Sequence, residues 1–409
     1  MSTSRHVVPA SMQPDQAPAT VLFIHSSDDL YGSDHVLLQI VRGLDPTLYK
    51  PLVVLPTDME HVGLLSRELR RYGVEYVHLP IAIMRRRYMR PLSLPAFLGR
   101  VVKGTLILGR LIKARQVKLI YGFTFAVVAA PAVAAWSGVP LITHAHEIMR
   151  RPSWLRKLLN ALYVRRSKAV LCISEAVRLN ILQDEPRSAR RLPVIHNGLA
   201  RRDVPEKSVA AWRTDLGVPL EMPLAGMAGR VSQWKGQEIL LRAAAILVQR
   251  AVPCHFLSIG GVFDGDESYR SKLNNLMVEL GMREHFTMVD FRPDARYALA
   301  ALDIFILPSI EPEPFGMVIL EAMAAGRPVV ASKHGGPLEI VLDGTTGLLV
   351  APSDPEALAN AIQELLQDAA LRDRMGQAGA QRLDAEFSID SQLRAIQSVF
   401  SSVLQASGQ

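Results

Sequence analysis

The chain has 409 residues, 49% of them apolar, with 46 Lys or Arg against 39 Asp or Glu. That length holds two or three domains, and the apolar share is enough for two buried cores. The two cysteines, Cys172 and Cys254, lie far apart in apolar runs, which excludes a disulfide scaffold and a zinc spacing and reads as reduced thiols in a cytosolic protein.

Residues 1–20 are polar, with Pro and Gln and no apolar core, so they predict a disordered tail and no signal peptide. Val21 to His25 predicts the first strand, Leu30 to Asp34 a loop carrying Gly32 and Ser33, and His35 to Gly43 a helix. No G-x-G-x-x-G follows that strand, which argues against a dinucleotide oxidoreductase. A strand over 51–55, a helix over 63–72 and a strand over 74–79 come next.

Ile81 to Val170 holds seventeen Lys or Arg and one acid, Glu147. One basic group is Arg85-Arg86-Arg87 with Arg90, then Arg100, Lys103, Arg110, Lys113, Arg115 and Lys118, interleaved at helical spacing with Leu, Val, Ile and Phe. A basic amphipathic helix of this kind suits an anionic membrane surface, where each near-surface cation adds about 1 kcal/mol. An ordinary helix with a solvated basic face fits the same pattern. Nucleic acid fits poorly, because there is no recognition motif and few aromatics to stack on bases. Leu119 to Thr143 has no charge and is long enough to cross a bilayer, but Gly122, Pro131, Gly138 and Pro140 break it into a strand, an Ala-rich helix over 125–137 and a second strand.

That second strand ends at His144-Ala-His146-Glu147, and strand alternation puts both histidines on one face. His-x-His with Glu147 lacks a further ligand for a metal. A helix over 154–166, a strand over 169–173 and an N-cap at Ser174 follow, and the polar stretch 200–207 reads as a hinge.

In the second half, a strand over 223–229 leads into Gly229-Arg230-Val-Ser-Gln-Trp-Lys235-Gly236 and then a helix over 237–250. Two cations in one strand-to-helix loop suit a diphosphate, Arg as a planar fork and Lys as a point charge. Asp264-Gly-Asp266 looks like a metal motif but sits in a polar loop with no completing ligand. A strand over 304–307 then meets Glu311-Pro-Glu313-Pro-Phe315-Gly316-Met317, a helix to Ala325 closed by Gly326, and another strand. This is a βαβ unit with Glu313 in the loop and Glu321 inside the helix, where Gly316 to Glu321 spans about 7–8 Å. The backbone N–H groups of Phe315, Gly316 and Met317 open the helix and favour an anion. The plain reading makes both acids solvated, but Glu321 lies among Ile319, Leu320, Ala322 and Met323, where an unpaired carboxylate is costly. Gly335 and Gly336 form a last loop that lets backbone approach a ligand. Helices over 354–382 and an amphipathic helix over 387–404 end the chain.

The two glutamates with seven residues between them, together with Gly229-Arg230 and Lys235-Gly236, resemble glycosyltransferase family 4 (glycosyl transferases group 1), and the likeness runs from about Val21 to Phe387. It implies an α/β, GT-B fold: two facing Rossmann-like doubly wound domains with a cleft between them. It divides the chain into an acceptor-binding domain over 21–200, a nucleotide-sugar-binding domain over 201–385, and a helix over 386–409 crossing back. The implied activity is retaining, metal-independent transfer of a sugar from a nucleoside diphosphate to an acceptor hydroxyl, with no cofactor. The implied acceptor is a lipid-linked or cell-surface polysaccharide precursor, reached at the inner face of the plasma membrane by a cytoplasmic protein. Arg230, Lys235 and Gly316 would face the diphosphate, Glu313 the sugar hydroxyls and Glu321 the ribose. Gly32, Ser33, Gly229, Phe315, Met317, Gly335 and Gly336 would line the donor, and His146 the transferred sugar. A catalytically silent GT-B scaffold and a nucleotide-sugar isomerase are the alternatives.

Overall fold

The computed structural model describes residues 17–58, 63–85, 94–201, 205–262, 267–292 and 295–407. Most of the expected tail, Arg86, Arg87 and Arg90 of the basic cluster, and Asp264-Gly-Asp266 lie outside these residues.

The first half alternates strand and helix: β1 (Ala19–Ile24), α1 (Gly32–Gly43), β2 (Tyr49–Pro56), α2 (Leu64–Arg71), β3 (Glu75–Leu79), α3 (Leu94–Ala114), β4 (Leu119–Phe123), α4 (Ala129–Ser137), β5 (Leu141–Ala145), α5 (Ser153–Arg166), β6 (Ala169–Cys172) and α6 (Glu175–Leu182). After α7 (Glu206–Asp215) the pattern repeats with β7 (Leu224–Ala228), α8 (Gln237–Gln249), β8 (His255–Ile259), α9 (Glu267–Glu279), β9 (Phe286–Val289), α10 (Ala295–Ala301), β10 (Ile304–Leu307), α11 (Met317–Ala324), β11 (Val329–Ser332), α12 (Pro337–Ile340) and β12 (Gly347–Val350). Helices α13 (Pro355–Gln367), α14 (Ala369–Glu386) and α15 (Ile389–Ser407) complete the chain.

Among the described residues the strands form two six-stranded sheets, in the orders β3-β2-β1-β4-β5-β6 and β12-β11-β10-β7-β8-β9. Numbered from its own first strand, each sheet reads 3-2-1-4-5-6, the doubly wound order whose connections leave the sheet in opposite directions between strands 1 and 4. The short apolar runs explain the strands: with helices on both faces, a parallel strand buries nearly every residue, and Val21 to Ile24 and Ile304 to Leu307 are fully buried.

By its contacts the chain divides into two compact units, 1–142 with 400–409, and 143–399, so the division runs through β5. In the first unit, Phe400 of α15 packs on Tyr121 (ring centroids 5.4 Å apart) and Tyr49 (5.5 Å), and Tyr49 Oη bonds Ser401 Oγ at 2.8 Å. Burial pushes the Tyr121 phenol well above its ordinary pKa.

Two expectations shift. Helix α1 starts at Gly32, three residues before His35, because the Asp34 carboxylate accepts the Tyr31 N–H at 2.8 Å and closes the first turn early. Gly32 and Ser33 are therefore helical residues. Helix α4 starts at Ala129 and not near Phe125, because the chain first turns through Thr124, whose φ is +75°.

Helix α3 is the basic amphipathic helix. Its Leu108 and Ile112 enter the first unit's core. Gly109 presents bare backbone to Trp136 of α4; an added Cβ would stand 1.8 Å from the ring. Leu98, Val102 and Leu106, one turn apart, are 55%, 61% and 46% exposed, and Lys103, Arg110 and Lys113 are exposed beside them. No helix among the described residues is long and apolar enough to cross a membrane.

Candidate active site

In a doubly wound sheet, ligands bind beyond the carboxyl ends of the strands where the order reverses. In the second sheet that point lies between β7 and β10, which pair in parallel. The loop after β7 is Gly229–Gly236, and the loop after β10 is Pro308–Gly316. They touch backbone to backbone. Gly236 has φ +79°, and a Cβ there would stand 1.9 Å from Pro308 O, so only glycine fits.

Lys235 and Glu313 meet in this gap. Lys235 Nζ donates to Glu313 Oε1 at 3.0 Å and Oε2 at 2.8 Å, and Ser309 Oγ adds a bond to Oε2 at 3.1 Å. Glu313 is only 7% exposed. A carboxylate held that far from water needs such partners, since an unpaired one costs several kcal/mol, about 3–5 when a buried pair is broken. The ammonium also lies 4.1 Å from the Trp234 ring centroid, where the ring face attracts it. Arg230 stands exposed at the end of β7, and the buried Gln237 holds its carbonyl with a 2.8 Å bond from Nε2. Lys235's stem passes the Gly229 backbone: a Cβ at Gly229 would lie 3.8 Å from Lys235 Cδ.

The third loop follows β11. Gly336 N donates to Glu313 O at 2.7 Å, and Glu313 and Gly335 form a parallel bridge. A Cβ at Gly335 would lie 2.3 Å from Glu313 O, and one at Gly336 would lie 2.4 Å from Phe315 Cα. The two glycines let this loop lie flat on the loop carrying Glu313. His334 donates from Nε2 to Ser309 O at 2.9 Å; burial keeps its imidazole below the ordinary pKa and therefore neutral.

Gly316, φ +106°, opens α11, whose half-buried Glu321 has its carboxyl pushed up to about 7 by burial. Phe315 is buried and Met317 half-buried at the same helix start, whose N–H groups favour an anion. In the same compact unit, His146 lies half-buried just past β5, its ring centroid 4.2 Å from that of His144. His144 is fully buried, and burial pushes its pKa down to about 3, so its imidazole is neutral. Asn180 fixes the loop after His146 by pairing with both Met149 N (3.1 Å) and Met149 O (3.0 Å), and Arg150 reaches Glu311 at 3.6 Å.

The structure thus gathers Lys235, Glu313, Phe315, Gly335 and Gly336 into direct contact around one switch point, with Gly229, Arg230, Gly316, Met317 and Glu321 on the same loops and helix. Gly32 and Ser33 belong to the other compact unit. Ser309, Gln237 and Asn180 were missed from sequence. Each acts by a single hydrogen bond or bond pair to a loop, and no motif or spacing marks such a partner. Among the described residues no group of three or more His, Cys, Asp or Glu is placed to hold a metal ion.

Two parallel sheets of the same winding, one carrying a cation–carboxylate pair at its switch point, define a two-domain Rossmann-like protein of the GT-B architecture. Comparisons agree. The family model for glycosyl transferases group 1 matches residues 208–382, and that for glycosyltransferase family 4 matches 32–201. The lipopolysaccharide core biosynthesis glycosyltransferase LpsE of Rhizobium meliloti is 36% identical over 180 residues, 44% of this chain and 50% of that protein. The alpha-D-kanosaminyltransferase of Streptomyces kanamyceticus is 30% identical over 275 residues, 62% of this chain and 68% of that protein. The Anabaena HepE structure in complex with UDP and glucose superposes with a TM-score of 0.78 at 25% identity, covering 94% of this chain and 100% of that one. The chain belongs to this glycosyltransferase family; its match spans about half the length of LpsE.

Proposed function

We propose that the chain transfers a sugar from a nucleoside-diphosphate sugar to an acceptor hydroxyl with retention at the anomeric carbon and without a metal ion or cofactor. The observation that carries this is the Lys235–Glu313 pair at the β7/β10 switch point. An ammonium has three donors, and Glu313 takes two. The third remains for a phosphate oxygen, so donor binding does not have to break the pair. Glu313, fixed by Lys235 and Ser309, accepts from sugar hydroxyls with its remaining lone pairs. Arg230 and the α11 start take the rest of the diphosphate charge, and Glu321 accepts from the ribose.

The chemistry is loss of a nucleoside diphosphate from the anomeric carbon. Arg230, Lys235 and the helix start stabilise the charge that develops on the leaving oxygen. The bond to the acceptor oxygen forms on the face that the diphosphate leaves, and the departing phosphate takes the acceptor's proton. His146 serves the transferred sugar. The two sheets correspond to an acceptor half, 21–200, and a donor half, 201–385, with the final helix returning to the first. HepE's complex with UDP and glucose supports a nucleotide-sugar donor, and LpsE's name supports a cell-surface glycan precursor as acceptor.

The exposed stripe of Leu98, Val102 and Leu106, bordered by Lys103, Arg110 and Lys113, suits the headgroup boundary of an anionic membrane. It supports a cytoplasmic protein docked on the inner face of the plasma membrane to reach a lipid-linked acceptor. Turnover of UDP-sugars by Arg230→Ala tests the chemistry: a loss of about 10²–10³ supports it, and wild-type turnover sinks it. Co-sedimentation with vesicles tests the membrane reading, which fails if neutral and anionic vesicles retain the protein equally.

A further inference from the structure

Glu339 projects from the short helix α12, just beyond Gly335 and Gly336, and its carboxylate is committed at both oxygens. Oε2 accepts Glu175 N at 2.8 Å and His196 Nε2 at 2.9 Å, and Oε1 accepts Ala176 N at 3.0 Å. It therefore sits on the first two N–H groups of α6, where a helix start favours a negative group. The neighbouring residue at the same helix end, Ser174, faces a different loop. Its Oγ accepts Val177 N at 3.1 Å as the N-cap and donates to Pro314 O at 2.6 Å. His196, which holds Glu339, also stacks on Phe315 with ring centroids 5.9 Å apart. The α6 start thus reaches both loops of the candidate donor site, the Glu313–Phe315 loop through Ser174 and the Gly335–Gly336 loop through Glu339, while His196 bridges Glu339 and Phe315. From behind, Arg382 donates to Glu339 O and Ile340 O, each at 2.9 Å, and holds α12 in place.

We propose that Glu339 is a positioning residue: by binding the α6 N-terminus and His196 it sets the Gly335–Gly336 loop against the Glu313–Phe315 loop and so fixes the geometry in which the nucleotide diphosphate is held. This rests on reading those loops as the donor site. The carboxylate suits the task. Burial raises its pKa, but the bonds from His196, Glu175 N and Ala176 N outweigh that and hold it below the ordinary value. It stays ionised at neutral pH, so the clasp holds under working conditions.

The substitution Glu339→Gln keeps the side-chain shape, removes the charge and puts an amide donor against a row of N–H groups. His196→Gln is the gentler variant, keeping a donor to Glu339 but losing the ring on Phe315. Both are read by backbone amide hydrogen exchange on the full chain without ligand, and by the Kd for UDP. The clasp predicts exchange about tenfold faster in three segments at once, 174–177, 312–316 and 334–338, as a local opening shared between them requires. It also predicts UDP binding weakened several-fold while the thermal midpoint moves little. Faster exchange confined to Glu175 and Ala176, with the two loops and the UDP affinity unchanged, would reduce Glu339 to a helix cap and overturn the proposal. If the wild type itself fails to bind UDP, the donor-site reading fails for that nucleotide, and the exchange pattern still decides whether the loops are coupled.

Discussion

The two sheets have the same strand order, yet the loops at their switch points are built from opposite materials. After β1 the chain presents acids that are satisfied from within. Asp34 accepts from His25 Nε2 at 2.6 Å, from Ser27 Oγ and from Tyr31 N; Asp28 accepts from Ser66 N at 2.7 Å, Ser66 Oγ at 3.0 Å and His78 Nε2 at 2.8 Å. Both acids are nearly fully buried. Burial raises the Asp34 carboxyl, but His25, Ser27 and Tyr31 N outweigh it and hold it below its ordinary pKa. After β7 the chain presents cations: Arg230 is exposed, and Lys235 keeps a donor beyond the two that Glu313 takes. One winding therefore yields a closed polar network that braces loops at one point and a charged opening at the other. What a switch point does is set by the loop, and the topology only supplies the place.

Four measurements can break or sharpen that contrast. The largest effect belongs to the first unit's apolar face: Phe400→Ala should cost about 3–5 kcal/mol in denaturant unfolding, the usual range for a buried Phe. A loss below about 1 kcal/mol would mean that α15 is not part of that core. Next, Arg230→Ala should cut turnover by about 10²–10³, which is about 3–4 kcal/mol in the barrier, while stability stays within about 0.5 kcal/mol because the side chain is exposed. Lys235→Ala should lose both, since Glu313 is left without its cation. In the third, Asp34→Asn should lower stability by about 1.5–3 kcal/mol, the scale of hydrogen bonds to a charged group, with the Kd for UDP unchanged. A weakened Kd at wild-type stability would show that the first switch point also serves the ligand directly.

The smallest effect is a pH slope. The Glu321 carboxyl is raised from 4.5 to about 7 in the folded chain, so between those values the folded state binds more protons than the unfolded one. Its contribution to stability is complete below pH about 4.5 and is lost as pH rises to about 7. Glu321→Gln should flatten that fall in the denaturation midpoint, and an unchanged slope would count against a raised carboxyl pKa at this position. If the ionised carboxylate accepts from a ribose, nucleotide affinity should move the other way and weaken as pH drops through 7.

Much of the fold was legible because short apolar runs between Gly and Pro mark parallel strands. Strand β10 falls where the pattern puts it. Gly316 and Gly326 bracket α11 as caps should, both at positive φ. The Lys235 and Glu313 loops were legible as chemistry, two cations after one strand and an acid after another. Their mutual bond was not, because it depends on β7 and β10 being neighbours. The start of α1 was misplaced for another reason: Asp34 accepts the Tyr31 N–H, a bond within one turn that starts the helix early. Ser174 shows the limit most clearly. Its role as N-cap follows from its position alone, but its second bond, to Pro314 O, joins residues far apart in the sequence.

The place of Phe400 has a consequence for how the protein comes to be made. The aromatic cluster that it completes is built otherwise from Phe23, Tyr49 and Tyr121, all of which leave the ribosome early. The whole of 143–399 must be synthesised before the missing ring arrives. At roughly 5–20 residues per second that wait is on the order of ten seconds to a minute. Through that interval the nascent first unit lacks the ring that packs on this aromatic cluster.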